Sequence, residues 1–94
     1  MFIPLNGPAL HGALSVTTTA VEVKVGSSVL EERTVITIQP IDGDIYFGYS
    51  SGVTSSTGTK IFKGQIYPME ATDKLPVYIV AATGTVDVRI TEVS

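Results

Sequence analysis

The sequence predicts an all-β fold: a small antiparallel β-sandwich or barrel of jelly-roll or immunoglobulin-like type, preceded by an extended N-terminal arm. Three observations predict it. Val (12), Ile (9) and Thr (12) make up 33 of 94 residues, against seven Leu and Met. β-Branched side chains are stiff at χ1 and favour strands, while straight-chain helix formers are scarce. Short runs of period two recur every 8 to 15 residues, separated by Gly, Pro, Ser and Asp; that spacing without helical segments belongs to sandwiches and small barrels. Finally, 94 residues are enough for one core and no more.

Residues 1–13, MFIPLNGPALHGA, are set apart as the arm, and residues 14–94 as the sandwich domain. Two Pro and two Gly argue against a helix or an interior strand there. The segment is nonetheless apolar at Phe2, Ile3, Leu5 and Leu10 and carries no charge before His11. A disordered tail is normally polar, so this one is expected to dock, either under its own core or on a neighbour. Phe2, Ile3, Leu5 and Leu10 are therefore the candidate interface residues.

Val21-Glu22-Val23-Lys24-Val25 alternates as a strand with one wet face. Gly26-Ser27-Ser28 breaks it, and Leu30-Glu31-Glu32-Arg33 reads as a polar turn. Thr34–Gln39 is the next strand, closed by Pro40. Ile41-Asp42-Gly43-Asp44 is a turn, Ile45–Tyr49 a short aromatic strand, and 50–58 a polar loop around Val53. Lys60–Tyr67 reads as a strand interrupted at Gly64, and Pro68–Lys74 as a connection. Val77–Ala82 is almost wholly apolar, so it is expected to lie at the centre of its sheet or beneath a partner. After Thr83-Gly84, Val86, Val88 and Ile90 alternate with Asp87, Arg89 and Thr91.

Charge and cysteine narrow the function classes. The net charge is −3 and the pI about 4.8. The six basic residues are scattered, with only Lys60 and Lys63 close together, so no basic stripe meets phosphates. Neither nucleic acid nor an anionic membrane is expected as a partner. Cysteine is absent, which removes disulfides, thiolate zinc sites and cysteine nucleophiles. Small domains without such staples often gain stability by self-association. Met1-Phe2-Ile3-Pro4-Leu5 has no basic n-region, and no apolar run approaches the ~20 residues that span a bilayer, so neither a signal peptide nor membrane insertion is expected.

Chemical motifs are few. Gly48-Tyr49-Ser50-Ser51-Gly52 fits G-x-S-x-G, but a nucleophile elbow needs a helix after the serine and a base nearby. Val-Thr-Ser-Ser-Thr-Gly follows instead, and the only histidine, His11, lies far upstream. Asp42 and Asp44 flank Gly43 as a turn, without a third carboxylate at EF-hand spacing. His11 alone makes no zinc site, and Glu31 and Glu32 would point to opposite faces of a strand. Tyr46, Phe47, Tyr49, Phe62, Tyr67 and Tyr78 are better explained by packing than by sugar stacking, since no Trp is present. No catalytic residue, cofactor or metal is expected.

From about Val29 to Val93 the chain resembles a family of small tailed-bacteriophage virion proteins. The resemblance rests on Leu30…Arg33 before Val35-Ile36-Thr37-Ile38, on Asp44-Ile45-Tyr46-Phe47-Gly48-Tyr49-Ser50, on Val53-Thr54 with Gly58, and on Lys63-Gly64. It continues through Tyr78-Ile79-Val80-Ala81 and closes on Gly84-Thr85-Val86-Asp87-Val88-Arg89-Ile90. It implies a non-enzymatic structural role on the virion, as a capsid decoration (cement) protein that binds the major capsid protein at the capsid surface. Self-association is expected with it, and a trimer by analogy with capsid three-folds. The alternatives are a head–tail connector or tail component, or a surface adhesion or carbohydrate-binding module; the latter would expose Tyr46, Tyr49 or Tyr67 on one face.

Overall fold

The computed structural model describes residues 7–94, so Phe2, Ile3 and Leu5 lie outside the described residues. Among the described residues eight strands form: β1 (Ala9–Val16), β2 (Val21–Glu22), β3 (Val35–Pro40), β4 (Ile45–Gly48), β5 (Thr59–Ile61), β6 (Tyr67–Glu70), β7 (Tyr78–Ala81) and β8 (Val86–Val93). They make two four-stranded antiparallel sheets, ordered β1-β8-β3-β6 and β2-β7-β4-β5. The fold is all-β and sandwich-like, with two open sheets rather than a closed barrel.

Period-two patterning decides which side chains go inside. In β8, Val86, Val88 and Ile90 are buried and Arg89 is exposed. β3 contributes Ile36 and Ile38, β4 Ile45 and Phe47, β5 Ile61, and β7 Ile79 and Ala81. Each fully buried aliphatic side chain is worth about 1.5–3 kcal/mol relative to exposure. Val77–Ala82 behaves as its composition requires: β7 lies between β2 and β4, and even its outward residue Val80 is 3% exposed, opposite Tyr46.

Three elements differ from the sequence reading. β1 begins at Ala9, so residues 9–13 of the segment read as an arm are paired with β8, from Ala9 opposite Val93 to Ala13 opposite Arg89. The Gly and Pro of the segment are accommodated because β1 is an edge strand and Pro8 precedes it. β6 occupies Tyr67–Glu70, so Pro68, Met69 and Glu70, expected in a connection, are strand residues. It too is an edge, so Pro68, opposite Thr37, needs no outward N–H partner. Finally, β2 covers only Val21–Glu22: Val23 N still donates to Val77 O, but Val23 O accepts from Arg33 and the Val25 N–H donates to a carboxylate oxygen of Glu92.

Candidate functional site

Two ends of the sandwich carry its distinctive features. At the end where residue 7 enters, Arg33 and Glu92 are buried together. The inward parity of Val86, Val88 and Ile90 continues to Glu92, which puts a carboxylate among the core side chains. Arg33 meets it with Nη1 at 3.1 Å from Oε2, both side chains fully inaccessible. The other Arg33 donors are also used: Nε to Ala71 O, Nη1 to Val23 O, and Nη2 to Thr72 O and Leu75 O. Glu92 further accepts from the backbone N–H groups of Val25 and Leu30. This node ties the segments around residues 23–30 and 71–75, which have little strand pairing of their own, to β8. Glu32 delivers Arg33 inward from a left-handed backbone (φ 58°) while its N–H donates to Asp73.

At the opposite end, beside Pro40, lies the β5–β6 turn. Phe62 and Ile66 are 59% and 63% exposed there, the two most exposed large apolar side chains of the described residues. The turn is fastened rather than loose. Gly64, at φ 79°, donates its N–H to Pro40 O at 2.7 Å, in a backbone conformation that suits only glycine. Lys63 N donates to Asp44 Oδ1 at 2.7 Å, Gln65 N to Phe62 O, and Phe62 N to Gln65 Oε1. Lys60 Nζ sits 4.8 Å from the Phe62 ring centroid and 3.5 Å from Asp44 Oδ2. The Lys63 N–H, followed by the lysine charges, holds the Asp44 carboxyl below its ordinary range. Apolar side chains presented on a fixed turn have little ordering entropy left to lose on contact with a partner.

The motif residues are placed apart. Ser50 lies in the turn after β4, where Val53 N donates to Ser50 O and no helix follows. His11 projects from the outer face of the other sheet, opposite Thr91, so the two do not form a nucleophile–base pair. Asp42 Oδ1 accepts from Asp87 N at 2.9 Å, and Asp44 is engaged as above, so both carboxylates fasten turns. Asp87 also pairs with Arg89 at 2.9 Å; this hydrogen bond lowers the Asp87 pKa and raises that of Arg89.

The aromatic rings do not share one face. Tyr46 points outward from its sheet, between Val80 and Lys60. Tyr67 packs against the core with its ring 5.1 Å from Phe47, and Tyr49, 54% exposed, meets Phe47 edge-on at 6.2 Å.

Of the candidate interface residues, Leu10 is the one described. It is on β1 and 41% exposed. Sequence reading missed Phe62 and Ile66 as surface residues because Lys60–Tyr67 looked like one interrupted strand. The Arg33–Glu92 node has a sequence signal: the alternation of Val86, Val88 and Ile90, carried past Thr91, puts Glu92 on the core face, where a carboxylate demands a cation. Comparison with protein-family models and with curated proteins finds no match to this chain.

Proposed function

We propose that this chain is a virion structural protein that decorates the head of a tailed phage. In this reading it binds the major capsid protein at the capsid surface, associates with itself, and catalyses no reaction. The observation that carries the reading is the exposed Phe62–Ile66 pair on a turn held by bonds to Pro40 and Asp44. Burying such a pair costs a partner little reorganisation and gains roughly 25 cal/mol per Å² of apolar area. The uncharged segment holding Phe2, Ile3 and Leu5 joins the sandwich at the opposite end, beside Ser94, whose N–H donates to Pro8 O. Apolar contacts at both ends of one rigid body suit a protein that bridges neighbouring capsid subunits. The resemblance of residues from Val29 to Val93 to phage virion proteins supports the same role.

The test mixes the purified 94-residue chain with capsids assembled from major capsid proteins of tailed phages. Saturable co-sedimentation, with copies spread over the head in particle images, is expected. A single ring at the portal or tail would make the protein a connector or tail component, and no binding would refute a capsid role. Phe62→Ser/Ile66→Ser should bind at least tenfold more weakly with unchanged folding, since a central apolar anchor is commonly worth about 2 kcal/mol or more. Truncation should end at Asn6, because removal through Gly12 would strip half of β1 from β8.

A further inference from the structure

The four sheet edges are not alike. An open edge is a row of free N–H and C=O groups, which folded proteins blunt by shortness, proline or charge. β2 is two residues long and includes Glu22; β5 is three residues with Lys60 at its centre; β6 is broken by Pro68 and ends on Glu70. β1 has none of these devices. It runs for eight residues, ALHGALSV, without Pro, Asp, Glu, Lys or Arg, and five of its residues are exposed. Among the described residues no backbone hydrogen bond from elsewhere in the chain reaches its outer side.

The register identifies the free groups. Ser94 N donates to Pro8 O at 3.0 Å, one step beyond the Ala9–Val93 pair. Directly opposed residues in an antiparallel ladder alternate between bonded and non-bonded pairs. Leu10, Gly12, Leu14 and Val16 therefore bond to β8, whereas Ala9, His11, Ala13 and Ser15 turn their N–H and C=O groups to the open edge.

We propose that this edge pairs antiparallel with β1 of a second copy about a two-fold axis at Gly12, joining two four-stranded sheets into one continuous sheet. Centring at Gly12 is the choice that uses all four outward-facing residues: Ala9 faces the partner's Ser15, and His11 faces the partner's Ala13. An axis at His11 or Ala13 strands one of the four and, at His11, sets two imidazoles opposite each other. In the chosen register no like charges meet, and each outer-face residue has a small neighbour. On the inner face Leu10 and the partner's Leu14 form a non-bonded pair, the type with the closest side-chain approach. That pair covers the exposed Leu10. The proposal shares with the reading above only the self-association, and it closes at two copies rather than at the trimer expected from capsid three-folds.

Sedimentation equilibrium of the full chain from ~10 μM to ~1 mM, without capsids, tests it, a range suited to a small interface. A reversible dimer is expected, and a monomer throughout overturns the proposal. Ala13→Pro removes an outward N–H at an edge that tolerates proline, and should be a folded monomer by circular dichroism; a folded variant that still dimerises overturns the pairing. Should that variant not fold, exposed-site charge pairs decide. His11→Lys/Ala13→Lys and His11→Glu/Ala13→Glu should each be monomeric, and a mixture of the two should form a 1:1 heterodimer; failure of the mixture to associate overturns it. Loss of the dimer on deleting residues 1–6 overturns it as well, by assigning the contact to that segment. Ala13→Pro that still binds capsids separates this proposal from the capsid role.

Discussion

Replacing Glu92 by Gln tests the buried node most directly. The side chain keeps its shape, but the Arg33 guanidinium loses its counter-charge, and an NH₂ group replaces an oxygen that accepts hydrogen bonds. Seven side-chain hydrogen bonds converge on the pair, five from Arg33 and three to Glu92 with one shared. Neither side chain reaches solvent, so water cannot substitute for the lost partner. Removing one partner of such a pair costs about 3–5 kcal/mol. Arg33 retains four carbonyl acceptors, which favours the lower half of that range. A 94-residue domain has a total stability of about 5–14 kcal/mol, so the variant should be folded but marginal.

Removing both charges, in Arg33→Met/Glu92→Gln, should cost less than the sum of the single changes, with a coupling of at least ~2 kcal/mol. It should not be neutral, because the carbonyls of Val23, Ala71, Thr72 and Leu75 lose the guanidinium, and one of the N–H groups of Val25 and Leu30 loses its carboxylate oxygen, at about 1–3 kcal/mol per buried orphan. The assay is urea denaturation followed by far-UV circular dichroism for the wild type, both single variants and the double variant. A Glu92→Gln cost below ~1 kcal/mol, or additivity within ~0.5 kcal/mol, would refute the view that this node clamps the 23–30 and 71–75 segments.

Further consequences are measurable with the same denaturation assay. A Cβ on Gly48 would lie 2.7 Å from Val53 Cγ2 and 2.9 Å from Val53 Cβ, so Gly48→Ala should lose about 1–3 kcal/mol, and much less in a Val53→Gly background; an equal loss in both backgrounds contradicts the steric cause. Glu32 occupies a left-handed backbone (φ 58°), so Glu32→Gly should stabilise the fold by roughly 0.5–1 kcal/mol while keeping the N–H bond to Asp73, and destabilisation would mean that the side chain contributes more than the strain. Because the folded state depresses the Asp44 pKa, its stabilisation is complete above the ordinary aspartate range and lost as pH falls through the lowered value. The midpoint difference between wild type and Asp44→Asn should accordingly be positive at neutral pH and shrink in acid, and a difference independent of pH would assign the effect to packing.

Much of the fold was legible because period two has a direct spatial meaning. Val35–Gln39, Ile45–Gly48 and Val86–Thr91 could be read as strands with their buried faces assigned, since alternate side chains of a pleated strand must face opposite ways. Pro68 in β6 and Gly12 in β1 argued against strands for a shared reason. Both reside on edge strands, and whether a strand is an edge depends on which strands flank it. Phe62 and Ile66 show the same limit from another side: apolar residues next to a strand look like core until Gly64 turns the chain back through Pro40 and leaves them outside.

The surplus of β-branched residues over Leu and Met, with its alternation, was sufficient by itself for the all-β class, the single core and most of the inward-facing residues. Those follow from local stereochemistry and from the cost of burying polar groups, both properties of short stretches of chain. Only the tertiary structure decided that the strands form two open sheets, that Arg33 and Glu92 meet across 59 residues of chain, and that β1 is left as a long uncharged edge. Pairing between distant segments is a property of the whole arrangement, and no window of sequence contains it.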